Sequence, residues 1–465
     1  MELPYNPRSK KSIIEFAKKL KGHSLITICN NDTLGHSFRG KGSFGQILER
    51  HYFLYEPNSH SEPDFPLAGI ELKSSPLKKT KKLGYKAKER LVLNTINYFD
   101  IINQQFETSS FFRKNANILL VFYLYQPGLN ILDFVIKLVD TWTITDVDLE
   151  IIKNDWETIK NKVKSGRAHE LSEGDTLYLG ACTKGASSKS FRVQPNSNLQ
   201  AKQRAFSFKQ GYVNHIVASI ASEERERYGK LIVENGLLRK KSFNDIILSK
   251  FEPYVGKPVS EIIKLTGLDV NLSAKGGYAS LVRGILGFSP EKIEEFKKAE
   301  IEVKTIRIEK SGVIEQSISF PAFKFYHIYN ESWSLSSLKK KIEQKFLFIF
   351  LKHNGTEYIL EKIRFWNMPF EDRNEFRRVW LKTKKVIQSG YIVKELKSNK
   401  SGKILRLNNF PKKIESKVAH VRPHGRNFAD TYPLPVLDKM TGCKEFTKQC
   451  FWLNQSYVRD FIYRE

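Results

Sequence analysis

Cysteine is scarce in this chain: four residues in 465, Cys29, Cys182, Cys443 and Cys450, with no C-x-x-C pair among them. That excludes a disulfide framework and a cysteine zinc site and points to reduced thiols in a cytoplasmic protein. Long apolar runs are missing as well. No stretch approaches the roughly 20 residues of a transmembrane helix, and Met1 to Lys21 lacks the unbroken apolar core of a signal peptide. His420 and His424 are spaced for a shared metal only if they sit on a helix, and Pro423 between them argues against one. Acidic residues are in deficit: 50 Asp and Glu against 77 Lys and Arg leave a formal charge of +27. So large an imbalance repels itself unless a polyanion offsets it. Nucleic acid is the first candidate and an anionic membrane surface the second.

What is present suffices for packed cores, with 40% hydrophobic and 12% aromatic residues. The length exceeds the roughly 250–300 residues at which single cores stop growing, so two domains are expected. Four signals recur in the same order. Lys41-Gly42-Ser43-Phe44 is matched by Lys275-Gly276-Gly277-Tyr278, and Ala68-Gly69-Ile70-Glu71-Leu72-Lys73 by Ala299-Glu300-Ile301-Glu302-Val303-Lys304. Trp156 followed by Ser165-Gly166 is matched by Trp380 followed by Ser389-Gly390, and Gln210-Gly211-Tyr212-Val213 by Gln455-Ser456-Tyr457-Val458. The order predicts a duplicated domain over 1–222 and 240–465, joined by a linker at 223–239 that opens on the charged run ending at Arg227.

Within the first half, Phe44, Ile47, Leu48, His51 and Tyr52 follow helical spacing, so Lys41-Gly42 is placed at the start of a helix carrying Glu49. Gly69 to Ser74 alternates like a strand, Ile118 to Tyr125 reads as a strand buried on both faces, and Asp155 to Lys164 reads as a helix. The fold class is α/β or α+β with a mixed sheet.

The chemistry centres on Asp64-x6-Glu71-x-Lys73. Strand residues two apart share a face about 6.6–7 Å from each other, so Glu71 and Lys73 point together while Ile70 and Leu72 enter the core. Phosphodiester cleavage needs a nucleophilic water, charge at the phosphoryl oxygens and a stabilised leaving group, all of which magnesium supplies. Magnesium takes few carboxylates and keeps water and phosphate ligands. Asp64 and Glu71 suit it, with the Leu72 carbonyl as a further ligand. Lys73 would orient or deprotonate the water, since lysine protonation responds to its surroundings.

Taken with Glu49 in the segment Lys41-Gly42-Ser43-Phe44-Gly45-Gln46-Ile47-Leu48-Glu49, and with Lys114 before the apolar strand, this pattern resembles the MutH family. That family embraces a mismatch-repair nicking enzyme and staphylococcal-type restriction endonucleases that cut GATC. Lys86 to Asn94, Ala168 to Gly174 and Lys202 to Ser207 look like the restriction branch. The resemblance implies two tandem MutH-like domains of the restriction-endonuclease-like PD-(D/E)xK fold, magnesium held by Glu49, Asp64, Glu71 and Leu72, and a catalytic set completed by Lys73 and Lys114. The implied partner is double-stranded DNA at GATC sites, bound by a chain that is monomeric in solution and dimerises on DNA.

The segment Tyr178 to Ala186 resembles the family's recognition loop. Lys184 is the base-reading candidate and Gly185 its small neighbour; Lys189 and Arg192 are assigned to phosphate, and Lys41 joins the DNA-binding set. The position matching a methylation-sensing tyrosine is Ser207, which implies indifference to adenine methylation. In the second half Lys275, Glu302 and Lys304 persist, but Glu49 is matched by Arg283 and Asp64 by Glu295. A cation in place of a ligating carboxylate repels magnesium, so this half is expected to bind DNA through Lys275, Arg422 and His424 without cutting. It would act as an allosteric effector domain. Two other readings stay open at this point: a mismatch-repair nickase and a non-catalytic DNA-binding protein.

Overall fold

The computed structural model of the chain describes residues 3–29, 43–57, 61–80, 84–185, 187, 189–221, 228–232, 235–274, 276–314, 317–398 and 404–464. Lys41, Gly42 and Lys275 lie outside them, as does the run ending at Arg227. The chain forms two compact units, one of residues 1–246 with 288–300, the other of 247–287 with 301–465.

The first unit is built on a mixed sheet. Strand β1 (Glu71–Lys79) pairs antiparallel with β2 (Tyr85–Ala87); a second sheet begins at β3 (Leu91–Thr95). After helix α1 (Lys10–Lys18), helix α2 (Ser43–Ile47) and helix α3 (Ser110–Asn115) comes β4 (Asn117–Leu124), which runs parallel to β1 with Glu71 opposite Ile118 and Lys73 opposite Leu120. Strand β5 (Ile136–Thr143) closes the order β2-β1-β4-β5. The apolar run Ile118 to Phe122 is fully buried, as a central strand covered on both faces requires.

Ser9 caps α1 by accepting the Ser12 amide, and Ile13 and Ala17, one turn apart, enter the core. Helix α2 continues as a π-helical stretch, Leu48–Tyr52, with Phe44, Ile47, Leu48 and Tyr52 buried. Each such large side chain contributes about 1.5–3 kcal/mol by leaving water. Gly45 lets α2 lie close on β1: a Cβ there would already stand 3.4 Å from Ser74 Oγ. The predicted helix from Asp155 is longer than the sequence reading had it. Helix α4 (Asp146–Lys164) starts behind a Thr145 cap, with Asp146 and Asp148 in its first turn where the helix dipole favours acid. The second sheet sets β7 (Arg204–Phe208) between β3 and β6 (Leu179–Thr183), and α5 (Gln210–Ile220) follows.

The second unit repeats the β1-β4-β5 part of the first unit's main sheet, as a sheet of three strands. Strand β8 (Glu302–Ile308) runs parallel to β10 (Phe346–His353), with Glu302 opposite Phe346 and Lys304 opposite Phe348, and β11 (Tyr358–Trp366) is antiparallel to β10. A second sheet sets β13 (Gln449–Leu453) between β9 (Ile318–Ser319) and β12 (Ala419–Pro423). In the first unit Tyr212 Oη meets Asp148 Oδ2 at 3.2 Å; in the second, Tyr457 Oη meets Asp372 Oδ2 at 2.7 Å. The mixed-sheet fold class is as the sequence predicted.

Residues 288–300 depart from a simple cut between two domains. Their helix α6 (Glu294–Ala299) belongs to the first unit, where buried Lys298 pairs with Asp148 at 2.9 Å and with Glu294 at 2.9 Å. Glu295 accepts the amides of Leu231 and Ile232. Glu295, expected from the sequence repeat to match Asp64, serves as a buried amide cap in the first unit.

Candidate active site

The sequence rule of alternate faces operates at β1: Ile70 and Leu72 are buried in the core, and Glu71 and Lys73 share the other face. That face is not solvated. The Glu71 side chain is 1% exposed and ion-paired to Lys73, itself 21% exposed. Lys114, in the last turn of α3, brings Nζ to 3.6 Å from Glu71 Oε1 and 3.1 Å from the Glu62 carbonyl. Asp64 sits in the turn before β1 and is tied to it reciprocally: Leu72 N–H donates to Asp64 Oδ2 at 2.9 Å, and Asp64 N–H donates to Glu71 Oε2 at 3.1 Å. Glu49 enters from the π-helical stretch.

These groups and Lys184 line one cleft of about 520 Å³. Burial pushes the Glu71 carboxyl up to about 7, with Asp64 adding to the rise and Lys73 and Lys114 opposing it. Burial, followed by the Asp64 charge, likewise pushes Glu49 up to about 7. Desolvated carboxylates that repel one another mark a place where positive charge is wanted. The donor set fits a hard divalent cation that keeps water or phosphate oxygens as ligands. It is not a closed cage: among the described residues no three His, Cys, Asp or Glu side chains converge on one point, and Asp64 and Glu71 spend oxygens on hydrogen bonds within the chain.

Lys184 follows β6, with its amide donating to the Gln203 carbonyl at 2.8 Å. Strand β6 is anchored from beneath by Asp155, whose buried carboxylate accepts the amides of Leu177, Tyr178 and Leu179 at 2.6–2.9 Å. Gly185 follows Lys184, and a Cβ there would strike Ser190 Cβ at 2.4 Å. Lys189 and Arg192 are exposed in the same loop region. Ser207 requires correction as a DNA-binding residue. It is fully buried at the centre of the β3-β7-β6 sheet, opposite Gly180 and Val92, and faces protein.

In the second unit Glu302 is held by Lys304 at 2.7 Å and Lys341 at 3.3 Å, repeating the Glu71, Lys73 and Lys114 arrangement. The balance is opposite: burial pushes the Glu302 carboxyl up, but the two lysines outweigh it and hold the carboxyl below its ordinary value. Arg283, on the short helix Leu281–Leu286, is exposed. His420 is buried on β12 with Nδ1 at 2.7 Å from Asn454 Oδ1, so it forms no helical pair with His424. The Arg422 guanidinium lies 3.8 Å from the Trp452 ring centre, with the His424 ring 5.3 Å from that ring. Sequence reasoning passed over Tyr55, Asp155 and Arg113. Arg113 lines the cleft beside Lys114 and was visible as its basic neighbour; the other two carry no local signal.

A parallel strand bearing Glu-x-Lys, a preceding Asp and a helical Glu define the restriction-endonuclease-like class of nucleases. The family model of the DNA mismatch repair enzyme MutH matches residues 53–155. The chain is 36% identical to the type II restriction enzyme Sau3AI of Staphylococcus aureus over 486 aligned residues, covering 97% of this chain and 98% of that one. It is 28% identical to the DNA mismatch repair protein MutH of Buchnera aphidicola over 166 residues, 35% of this chain and 74% of that protein. For MutH of Shewanella woodyi the identity is 26% over 224 residues, 47% and 95%. The chain belongs to the MutH-like family of site-specific DNA endonucleases, in the branch of the Sau3AI-type restriction enzymes. Among the described residues no helix is long and apolar enough to cross a membrane.

Proposed function

We propose that this type II restriction endonuclease hydrolyses both strands of duplex DNA at GATC, with magnesium, through the first unit alone. The observation that carries the reading is the meeting of Glu49, Asp64, Glu71, Lys73, Lys114 and Lys184 in one cleft. Glu49, Asp64, Glu71 and the Leu72 carbonyl would hold magnesium, which when bound supplies positive charge to the phosphoryl oxygens and a more acidic water. The chain does the rest. Lys73 stands at the cleft end of its ion pair with Glu71, where it can orient the attacking water or take its proton. Lys114 ties the Glu62 carbonyl to Glu71, fixing the turn that carries Asp64. Lys184 reaches for base edges, and Lys189, Arg192 and Lys41 meet phosphate. Position 207 offers only a small buried hydroxyl, so cleavage should ignore adenine methylation.

The second unit, on this reading, binds another GATC copy without cutting it and activates the first unit. Its Glu302 is already neutralised by two lysines, and an arginine stands at the position of Glu49. Arg422, laid on Trp452, and His424 supply its DNA-reading groups, with Lys275 as a further basic contact. A double-strand break needs two cutting centres or two visits by one, and with one complete centre per chain the reading is that two cytoplasmic monomers meet on DNA. Sequencing the ends produced from methylated and unmethylated plasmid tests the proposal: ends at every GATC in both samples support it. Cuts elsewhere, or nicked circles only, would refute it.

A further inference from the structure

The π-helical stretch that carries Glu49 ends in a sharp reversal. Leu54 is a non-glycine residue at φ 59°, a left-handed conformation that leucine rarely adopts. The reversal turns the chain back on itself, so that the Tyr55 amide donates to the Glu49 carbonyl at 3.0 Å. The Tyr55 ring packs edge-on against Phe65, the neighbour of Asp64, with ring centres 5.4 Å apart. One residue thus meets both segments that deliver carboxylates to the cleft, by its amide at Glu49 and by its ring at Phe65. Its hydroxyl oxygen is buried and has no hydrogen-bond partner among the described residues. Tyr5, packed in the same aromatic cluster, donates its hydroxyl to the Phe53 carbonyl at 2.7 Å. Buried donors are almost always paired, and one left over beside a reactive centre asks for a function. A strained residue and a π-helical turn adjoining it mark the same spot.

We infer that Tyr55 is a positioning residue of the metal centre, donating its hydroxyl hydrogen to a carboxylate oxygen or water of the bound ion's outer shell and so fixing how Glu49 and Asp64 are presented. Burial holds the phenol far above its ordinary range, with the Asp64, Glu49 and Glu71 charges acting in the same direction, so it is a donor at every working pH. The role rests on the metal-centre reading above. Outer-shell partners of this kind alter metal affinity by about 10–100-fold when removed.

The test is manganese binding to the full chain without DNA, followed by calorimetry or electron paramagnetic resonance, for wild type, Tyr55→Phe, Tyr5→Phe, Glu49→Gln and Glu71→Gln. Tyr55→Phe should weaken manganese binding about tenfold or more while leaving the melting temperature unchanged or higher. Tyr5→Phe should leave manganese binding alone. In cleavage, Tyr55→Phe should raise the metal concentration for half-maximal rate more than it lowers the rate at saturation. Wild-type manganese affinity in Tyr55→Phe, with binding lost in Glu49→Gln and Glu71→Gln, would overturn the role of Tyr55 and leave the metal centre standing. Unchanged binding in all variants would overturn both.

Discussion

Replacing Glu71 by glutamine should abolish cleavage and yet stabilise the metal-free protein at alkaline pH. Burial raises the Glu71 carboxyl from 4.5 to about 7, so the folded unit holds this proton more tightly than the unfolded chain does. The stability linked to it is complete below about pH 4.5 and is lost as pH rises through 7. A shift of that size corresponds to about 3 kcal/mol once the group is fully ionised. Glutamine has nearly the shape of the protonated acid and never ionises. At pH 8.5 in chelator, Glu71→Gln should therefore melt higher than wild type by roughly 5–10 °C, the response of a unit this size. At pH 5 the two curves should nearly coincide. Added magnesium should close the gap at pH 8.5 by stabilising wild type only, because a ligand that binds the folded state alone adds stability. Scanning fluorimetry across pH 5–8.5 reads all of this. Parallel pH profiles for the two proteins, or a wild type more stable than the variant at pH 8.5 without metal, would refute the burial argument.

Lys73→Ala should lower the single-turnover cleavage rate by about 10²–10⁴-fold while gel-shift affinity for DNA is kept, as loss of a proton-handling group predicts. Asp155→Ala leaves the amides of Leu177, Tyr178 and Leu179 buried without their acceptor and should cost about 3 kcal/mol in urea unfolding. A loss below about 1 kcal/mol would mean that water replaces the carboxylate. Arg422→Ala should slow cleavage of a plasmid with two GATC sites towards the rate of a one-site plasmid, and equal wild-type rates on both plasmids would count against an effector role for the second unit.

How much of this was legible in the sequence depended on whether the contact was local. Glu71 and Lys73 sharing a face follows from strand period alone, and the apolar run Ile118 to Tyr125 marks a strand that is fully buried from Ile118 to Phe122 and half-buried beyond. Glu49 and Lys114 came from resemblance, since they reach the cleft from separate helical elements. The extra length of α4 was foreshadowed by Thr145 and its acidic first turn, which the sequence reading did not use. Other features were not legible. Whether Ser207 faces solvent depends on which strands flank β7, and that is a long-range pairing. Aligning Glu295 with Asp64 gave its place in the repeat but not its partners, Leu231 and Ile232. Tyr55 packs on Phe65, the neighbour of Asp64, after a left-handed turn at Leu54, a backbone state that leucine does not advertise.

The central claim is that the cutting chemistry resides in the first unit, and the matched carboxylates Glu71 and Glu302 test it most directly. Supercoiled plasmid with two GATC sites would be incubated with magnesium and with wild type, Glu71→Ala or Glu302→Ala. The account predicts that Glu302→Ala linearises DNA within a few-fold of the wild-type rate, on the order of the threefold that a minor surface effect would leave. Glu71→Ala should bind the plasmid and leave both strands intact. Linear product from Glu71→Ala, or loss of all cutting in Glu302→Ala, would contradict it.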